Sequence, residues 1–292
     1  MTYYENHKYM QKDTATKYDN TLPQYFMFDF ESKAYKEESY FLEKYLSNKV
    51  FNNTLEFGVG TGRMTQHILP KTTNYTGIDL STSMIESSKK RFDSEFPEAL
   101  FVVSPINDFI DNADSLDEFV FVCSFYAYNY SLLSFWEYYD PETDEHGQYE
   151  DTVKAEKNAV SQINKLFSQL KKGTKFYFYY FDAYSVEQGY VTRILEQELP
   201  FPHNDRGYTL KVLVNYLKNM NNISFEVENL NGYAQFENLD HLVNFYSTLH
   251  LARSLDKMED IRDLVNYVKV FQQEDGRIKL PSGVNVISGE IL

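Results

Sequence analysis

Between Leu55 and Thr65 the chain reads Leu-Glu-Phe-Gly-Val-Gly-Thr-Gly-Arg-Met-Thr, with an acid, Glu56, two residues ahead of the first of three alternating glycines, Gly58, Gly60 and Gly62. Glycine tolerates φ > 0 and has no side chain to hold a ligand away, so this spacing suits a turn that backbone must bring close to a ligand. A helix opening behind such a turn aims unpaired N–H groups and a partial positive charge at whatever lies there. A second acid, Asp79, ends the run Tyr75-Thr76-Gly77-Ile78-Asp79-Leu80, 21 residues after Gly58. That is close to the separation of about 20 at which a carboxylate meets a ribose, whose two hydroxyls need two acceptors at fixed spacing. Each feature also has a purely structural reading, an ordinary strand-to-helix turn and an acid that caps its own turn.

The spacing separates ligand classes. The dinucleotide fingerprint G-x-G-x-x-G would need a third glycine at Arg63 counted from Gly58, or at Thr65 counted from Gly60. The pattern G-x-G-x-G with its preceding acid instead resembles the first motif of the class I S-adenosylmethionine (SAM) methyltransferases. The resemblance is specific over about residues 50–125 and architectural beyond. It implies SAM as cofactor, with Glu56 facing its methionine end and Gly58, Gly60 and Arg63 around the turn. It further implies Asp79 on the ribose with Leu80 beside it, Met84 over the adenine face, and Ser124 at the end of the fourth strand. Ser104, Pro105 and Ile106 become adenine neighbours, although the family commonly has an Asp where Ser104 stands. The segment Ala15-Thr16-Lys17-Tyr18-Asp19 is similar to one that folds over the cofactor in that family, which makes Tyr18 a ligand contact; packing explains it equally well.

The recipient side is read from the apolar strand Glu118–Cys123 and the Ser124-Phe125-Tyr126-Ala127-Tyr128-Asn129-Tyr130 that follows. In an open parallel sheet the ligand crevice lies at the carboxyl ends of the strands. Aromatic rings there are placed to line an acceptor pocket, and their faces attract a sulfonium cation. Tyr126, Tyr128, His203 and Asp182 are the candidates for a base, though none stands out. An amine acceptor needs a base only if it arrives protonated.

Periodicity places these residues on elements. Helices are expected at Asp29–Leu46, at about 62–69 before Pro70, after Ser81 (Ser83 and Glu86 spaced as a capping box), at 153–170, 210–220, 239–253 and 256–273. Strands are expected just ahead of the glycine turn and at 75–80, 101–103, 118–123, 175–181 and 223–228, with strand-like tails at 277–280 and 284–292. The order predicts a doubly wound, mostly parallel α/β sheet of about seven strands with helices on both faces. Residues 1–292 read as one domain, with a helical, aromatic N-terminal arm over 1–48 and acceptor-site insertions at 131–152 and 183–208. Six acids between Asp140 and Asp151 make either a solvated face or a rim that selects an amine.

Composition narrows the partners. The 292 residues carry a net charge of −15, which repels nucleic acid and anionic membranes. Cys123 is the one cysteine and the six histidines lack metal-ligand spacing, so no metal site is expected. No signal segment or membrane-length apolar run appears, so the expected location is cytoplasmic. Aromatics make up 17% of the chain, more than a core of this size is expected to absorb, which puts some on surfaces or cavity walls; codon bias accounts for the excess equally well. The expected function is transfer of a methyl group to an amine or hydroxyl of a small molecule. The alternatives are a protein or RNA acceptor, and a non-catalytic methyltransferase-like partner subunit. Oligomeric state, monomer or homodimer, is left open.

Overall fold

The structure is a computed structural model, and it describes residues 28–29, 31–140, 145–189, 207–248 and 258–292. The first element is a small antiparallel pair, β1 (Phe28–Asp29) and β2 (Ala34–Tyr35), joined through Lys33 at φ 54°. Helix α1 (Lys36–Tyr40) follows and runs on as a wider π-helical turn over Phe41–Leu46. The single helix expected from Asp29 therefore starts seven residues later, after this turn.

The alternating unit then begins. It comprises β3 (Phe51–Phe57), α2 (Thr65–Ile68), β4 (Thr72–Asp79), α3 (Thr82–Phe92), β5 (Leu100–Val103), α4 (Ile106–Asn112) and β6 (Phe121–Phe125). Helix α5 (Ala127–Leu133) leads into a hairpin of β7 (Glu137–Asp140) and β8 (Glu145–Gln148), and α6 (Thr152–Ser168) leads into β9 (Lys175–Phe181). The last elements are α7 (Tyr208–Lys218), β10 (Ile223–Phe236), α8 (Leu239–Thr248), α9 (Met258–Val268) and β11 (Ile278–Ile291).

Seven strands form one sheet in the order β10-β11-β9-β6-β3-β4-β5. The five from β9 to β5 are parallel, and β11 runs antiparallel to both its neighbours. The chain winds outward from β3 through β4 to β5, then returns to the other side of β3 for β6 and β9. That reversal between β3 and β6 is a topological switch point, and a crevice opens outside the carboxyl ends of the strands there.

Strand composition follows from burial on both faces. All five residues of β6 are buried. Along β9, Phe176, Phe178 and Tyr180 point into one core while Tyr177 and Tyr179 point into the other. The core of Phe176, Phe178 and Tyr180 is closed by α6, whose Ala155, Ala159, Ile163, Leu166 and Phe167 share a buried stripe and whose N-cap Asp151 accepts the Lys154 N–H at 2.8 Å. Both cores absorb aromatics: Trp136, Tyr128, Tyr177, Tyr179, Tyr180 and Tyr246 are among the largest side chains with no more than 2% exposure. Tyr184 and Tyr233, at 67% and 50% exposure, are aromatics left on the surface.

The two expected C-terminal tails are one 14-residue strand, β11, paired along its length with an equally long β10, Ile223 opposite Ile291 and Phe236 opposite Ile278. Pro281 lies within β11 beyond Val284, where β9 has ended and no third strand needs an N–H from that edge. Residues 231–236 and 278–283 therefore project as a ribbon of about 20 Å past the carboxyl edge of β9. The stretch expected as a 131–152 insertion divides in two. Leu132, Leu133 and Trp136 are core, and the β7–β8 hairpin follows them.

Candidate functional site

The glycine turn joins β3 to α2 at the switch point. Gly58, Gly60 and Gly62 have φ of 76°, 57° and 89°, a region L side chains seldom adopt. The reasons differ. A Cβ on Gly58 would stand 2.0 Å from the Ala127 Cβ, and one on Gly62 would stand 2.3 Å from the Phe92 ring. A Cβ on Gly60 would meet no protein atom within 4 Å. Gly58 and Gly62 are thus required by packing, while Gly60 faces the open crevice. Its peptide is fixed on both sides: its N–H donates to Asp79 Oδ2 at 2.8 Å and its carbonyl accepts from Ser88 Oγ at 2.9 Å.

Asp79 ends β4 beside β3, as Phe57 pairs with Ile78. Its other oxygen, Oδ1, accepts the Ser81 N–H at 2.9 Å. One backbone N–H on each oxygen orients the carboxylate and leaves each a further lone pair for an outside donor. Burial pushes its pKa up, opposed by the Ser81 and Gly60 N–H groups. Glu56 lies deeper, at 1% exposure, with Oε2 accepting from Tyr75 Oη at 2.6 Å and Thr65 Oγ1 at 3.0 Å. Among the described residues Oε1 takes no hydrogen bond. Burial raises this carboxyl to about 7 against the two donors.

The adenine-side residues expected from sequence gather at the carboxyl ends of β4 and β5. Met84 is buried near the start of α3, whose N-cap is Ser81. Ile106 is buried in the first turn of α4, and Pro105 is the N-cap of that helix. Ser104 is tied back to β4 through its N–H on the Asp79 carbonyl at 2.9 Å, and its hydroxyl donates to the Pro105 carbonyl at 3.0 Å. Leu80, half-buried, follows Asp79 directly.

Other expected residues are engaged elsewhere. Arg63 bonds Glu37 at 3.1 Å and Glu38 at 2.7 Å on α1, with its guanidinium 4.9 Å from the Tyr35 ring. Glu38 also meets His67 at 3.1 Å, so α1 is strapped to the helix behind the glycine turn. Glu37 is fully buried, and burial lifts it to about 7 despite Arg63. Ser124 spends its hydroxyl within the fold, donating to the Phe57 carbonyl and accepting the Tyr128 N–H, both at 3.0 Å. Tyr128 is wholly buried among Phe57 and Phe178, and burial drives its pKa up, which unfits it as a base.

Tyr126 is different. It sits at φ 68°, a left-handed conformation worth about 1–2 kcal/mol of strain in a residue with a Cβ, of the sort that gathers at functional sites. Its N–H on the Tyr179 carbonyl at 3.1 Å and its ring stacked 4.5 Å from Phe181 hold it there. Asp182 follows on β9, half-buried, accepting from the Tyr184 N–H and from Asn229, each at 3.1 Å. Tyr18 and His203 lie outside the described residues.

Sequence reasoning missed Tyr75 and Thr65, which hold Glu56, and Ser88, which holds Gly60. A tyrosine four residues before the second acid, on the same strand, was the one local signal for the first. Among the described residues no three His, Cys, Asp or Glu side chains converge as a metal site, and no helix is long and apolar enough to cross a membrane.

Residues 54–134 match a family model described as a methyltransferase domain. Among solved structures, the YcgJ protein of Bacillus subtilis superposes with a TM-score of 0.52 at 12% identity, over 87% of this chain and 98% of that one. Phosphoethanolamine N-methyltransferase 2 of Haemonchus contortus, in complex with phosphomonomethylethanolamine and S-adenosylhomocysteine, superposes with a TM-score of 0.54 at 12% identity, over 100% of this chain and 60% of that one. At these identities the likeness is one of fold. No curated protein matches the sequence.

Proposed function

We propose that this chain, whose residues 54–134 match a methyltransferase-domain model, transfers the methyl group of SAM to an amine or hydroxyl of a small molecule. The observation that carries the reading is the Asp79 carboxylate, which binds the Gly60 N–H of one motif and the Ser81 N–H of the other and still offers both oxygens to a ribose. Three features of the crevice suit SAM better than a phosphate-bearing cofactor. Gly60 leaves its Cβ direction clear. The acids near the turn are Glu56 and Asp79, which favour a cationic ligand. The cation of the motif, Arg63, is spent on Glu37 and Glu38.

Bound there, SAM supplies an electrophilic methyl on a sulfonium. The chain's own residues bind and orient. Asp79 takes the ribose, and Met84, Leu80, Ile106 and the Ser104–Pro105 turn flank the adenine. Glu56 attracts the ammonium of the amino-acid end, while the partly buried Phe181 at the end of β9 offers a ring face to the sulfonium. Holding the acceptor lone pair in line with the methyl is the main rate contribution such a site makes.

A small-molecule acceptor is favoured over RNA by the net charge of −15. The test supplies purified protein and SAM with separated small-molecule, protein and RNA fractions of a cell extract and follows S-adenosylhomocysteine (SAH) release. Release with the small-molecule fraction is expected. Release confined to the protein or RNA fraction contradicts the acceptor class, and binding of SAH without release from any fraction favours the non-catalytic partner subunit.

A further inference from the structure

At the carboxyl end of β9 a cleft of about 860 Å3 opens between the β1–β2 hairpin, the start of α1, the segment after β9 and the projecting β10–β11 ribbon. None of the cradle residues lines it, so it is separate from the cofactor's place. It adjoins that place by two routes. Lys36 and Ser39 face the cleft, and between them Glu37 and Glu38 grip Arg63 of the glycine turn. Asp182 faces it too, directly after Phe181, whose ring stacks on Tyr126 at the end of β6. With the β3–β4 half of the crevice taken by a cofactor, the β6–β9 half is what remains for a second substrate.

The lining has a definite chemistry. Gln235 is only 7% exposed, its side chain makes no hydrogen bond among the described residues, and it lines the cleft. A carboxamide offers two donors and two acceptors. The Gln235 amide reaches the open space of the cleft, where a ligand can take up those donors and acceptors. Asp182 is held by Tyr184 N–H and by Asn229, one bond to each oxygen, so a lone pair on each remains available. Asp29 is a second carboxylate on the wall, oriented by the Glu31 N–H at 2.8 Å. Among the described residues the one cation on the wall, Lys36, is occupied in donating to the Asn231 carbonyl of the ribbon. Two fixed carboxylates, a tied ammonium and an unused amide favour a polar cation over an apolar or anionic guest.

We propose that this cleft is the acceptor site and that it selects a hydrophilic amine, with Asp182 and Asp29 facing the nitrogen and Gln235 pairing with a polar group beside it. The assignment rests on the methyltransferase reading and narrows its acceptor from an amine or hydroxyl to an amine. The bound ammonium first gives a proton to water, the lone pair so freed forms the new N–C bond, and the pair from the broken S–C bond stays on sulfur.

The test uses the full chain and matched probes: ethanolamine against ethylene glycol, and glucosamine against glucose. SAH binding is measured first by calorimetry, then SAH release from SAM with each probe, for wild type, Gln235→Leu and Asp182→Asn. The expected result is turnover of an amine over its hydroxyl counterpart. Each variant should raise that amine's KM at least about tenfold while SAH affinity stays within about twofold. The Gln235 side chain bonds no other described residue, so its variant should melt like wild type and keeps the test valid if Asp182→Asn folds poorly. Three results overturn the assignment: preference for the hydroxyl probes, an amine KM that Gln235→Leu leaves unchanged, or a protein that binds SAH and methylates neither amine. A wild type that fails to bind SAH at all would instead sink the underlying reading.

Discussion

Alanine substitution of the three motif glycines should separate ligand binding from folding. All three sit at φ between 57° and 89°, so each alanine pays a left-handed strain of about 1–2 kcal/mol. At Gly58 the new methyl would be 2.0 Å from the Ala127 Cβ, and at Gly62 it would be 2.3 Å from the Phe92 ring. Overpacking of that kind adds about 1–3 kcal/mol. Gly58→Ala and Gly62→Ala should therefore each lose about 3 kcal/mol of a stability that is typically about 5–15 kcal/mol. Gly60→Ala meets no protein atom within 4 Å and should lose only the strain. Its methyl, however, enters the crevice beside the N–H that bonds Asp79. A steric overlap there, with one weakened charge-assisted hydrogen bond, is worth about 3 kcal/mol, or about a hundredfold in affinity. Urea unfolding without ligand gives the stabilities, and SAH calorimetry gives the affinities. A folded Gly60→Ala that binds SAH within about threefold of wild type would refute the assignment of that face to the cofactor.

Asp79→Ala removes both outside acceptors and should weaken SAH binding by about 3 kcal/mol or more, a hundredfold or greater, while a SAH analogue lacking the 2′ and 3′ hydroxyls should lose much less; equal losses would mean that Asp79 acts only by shaping the turn. Glu56, raised to about 7 by burial, is expected to favour the cationic cofactor only when ionised, so SAM affinity should fall as the pH drops through about 7 and Glu56→Gln should flatten that profile. The same shift makes the native state hold its proton more tightly than the unfolded chain, so Glu56 and likewise Glu37 should lower stability as pH rises from about 4.5 to 7, by roughly 3 kcal/mol each, with no further change above. Urea midpoints that instead rise across that window in wild type, with both Glu→Gln variants unchanged, would contradict it. Arg63→Met strands the buried Glu37 and should cost about 3–5 kcal/mol by urea unfolding, most severely at alkaline pH; a neutral result would show that the strap to α1 is superficial.

The legible parts of the molecule were those where local chemistry has few solutions. Alternating glycines left the turn little choice but φ > 0, and Asp79 at the end of the next strand had to fall beside it, because consecutive parallel strands pair in register. The roles of Arg63 and Ser124 were not legible. Arg63 sits inside the motif, yet its partners Glu37 and Glu38 lie 26 and 25 residues earlier, on a helix whose position only the tertiary fold sets. Ser124 ends the expected strand, but its hydroxyl bridges β3 and α5, a contact 67 residues apart on one side. The β10–β11 ribbon was hidden because Gly232, Gly283 and Pro281 break the strand signal, although cross-strand pairing carries straight through them. Gln235 carries no sequence signature, since only burial without a partner marks it.

The measurement that bears most directly on the claim is calorimetric titration of the purified protein with SAH at neutral pH. One site per chain is expected, with an affinity that falls about a hundredfold in both Gly60→Ala and Asp79→Ala while both remain folded. Heat of binding absent in the wild type, or present and unmoved by either substitution, would contradict the assignment of the glycine turn and Asp79 as the seat of the methyl donor.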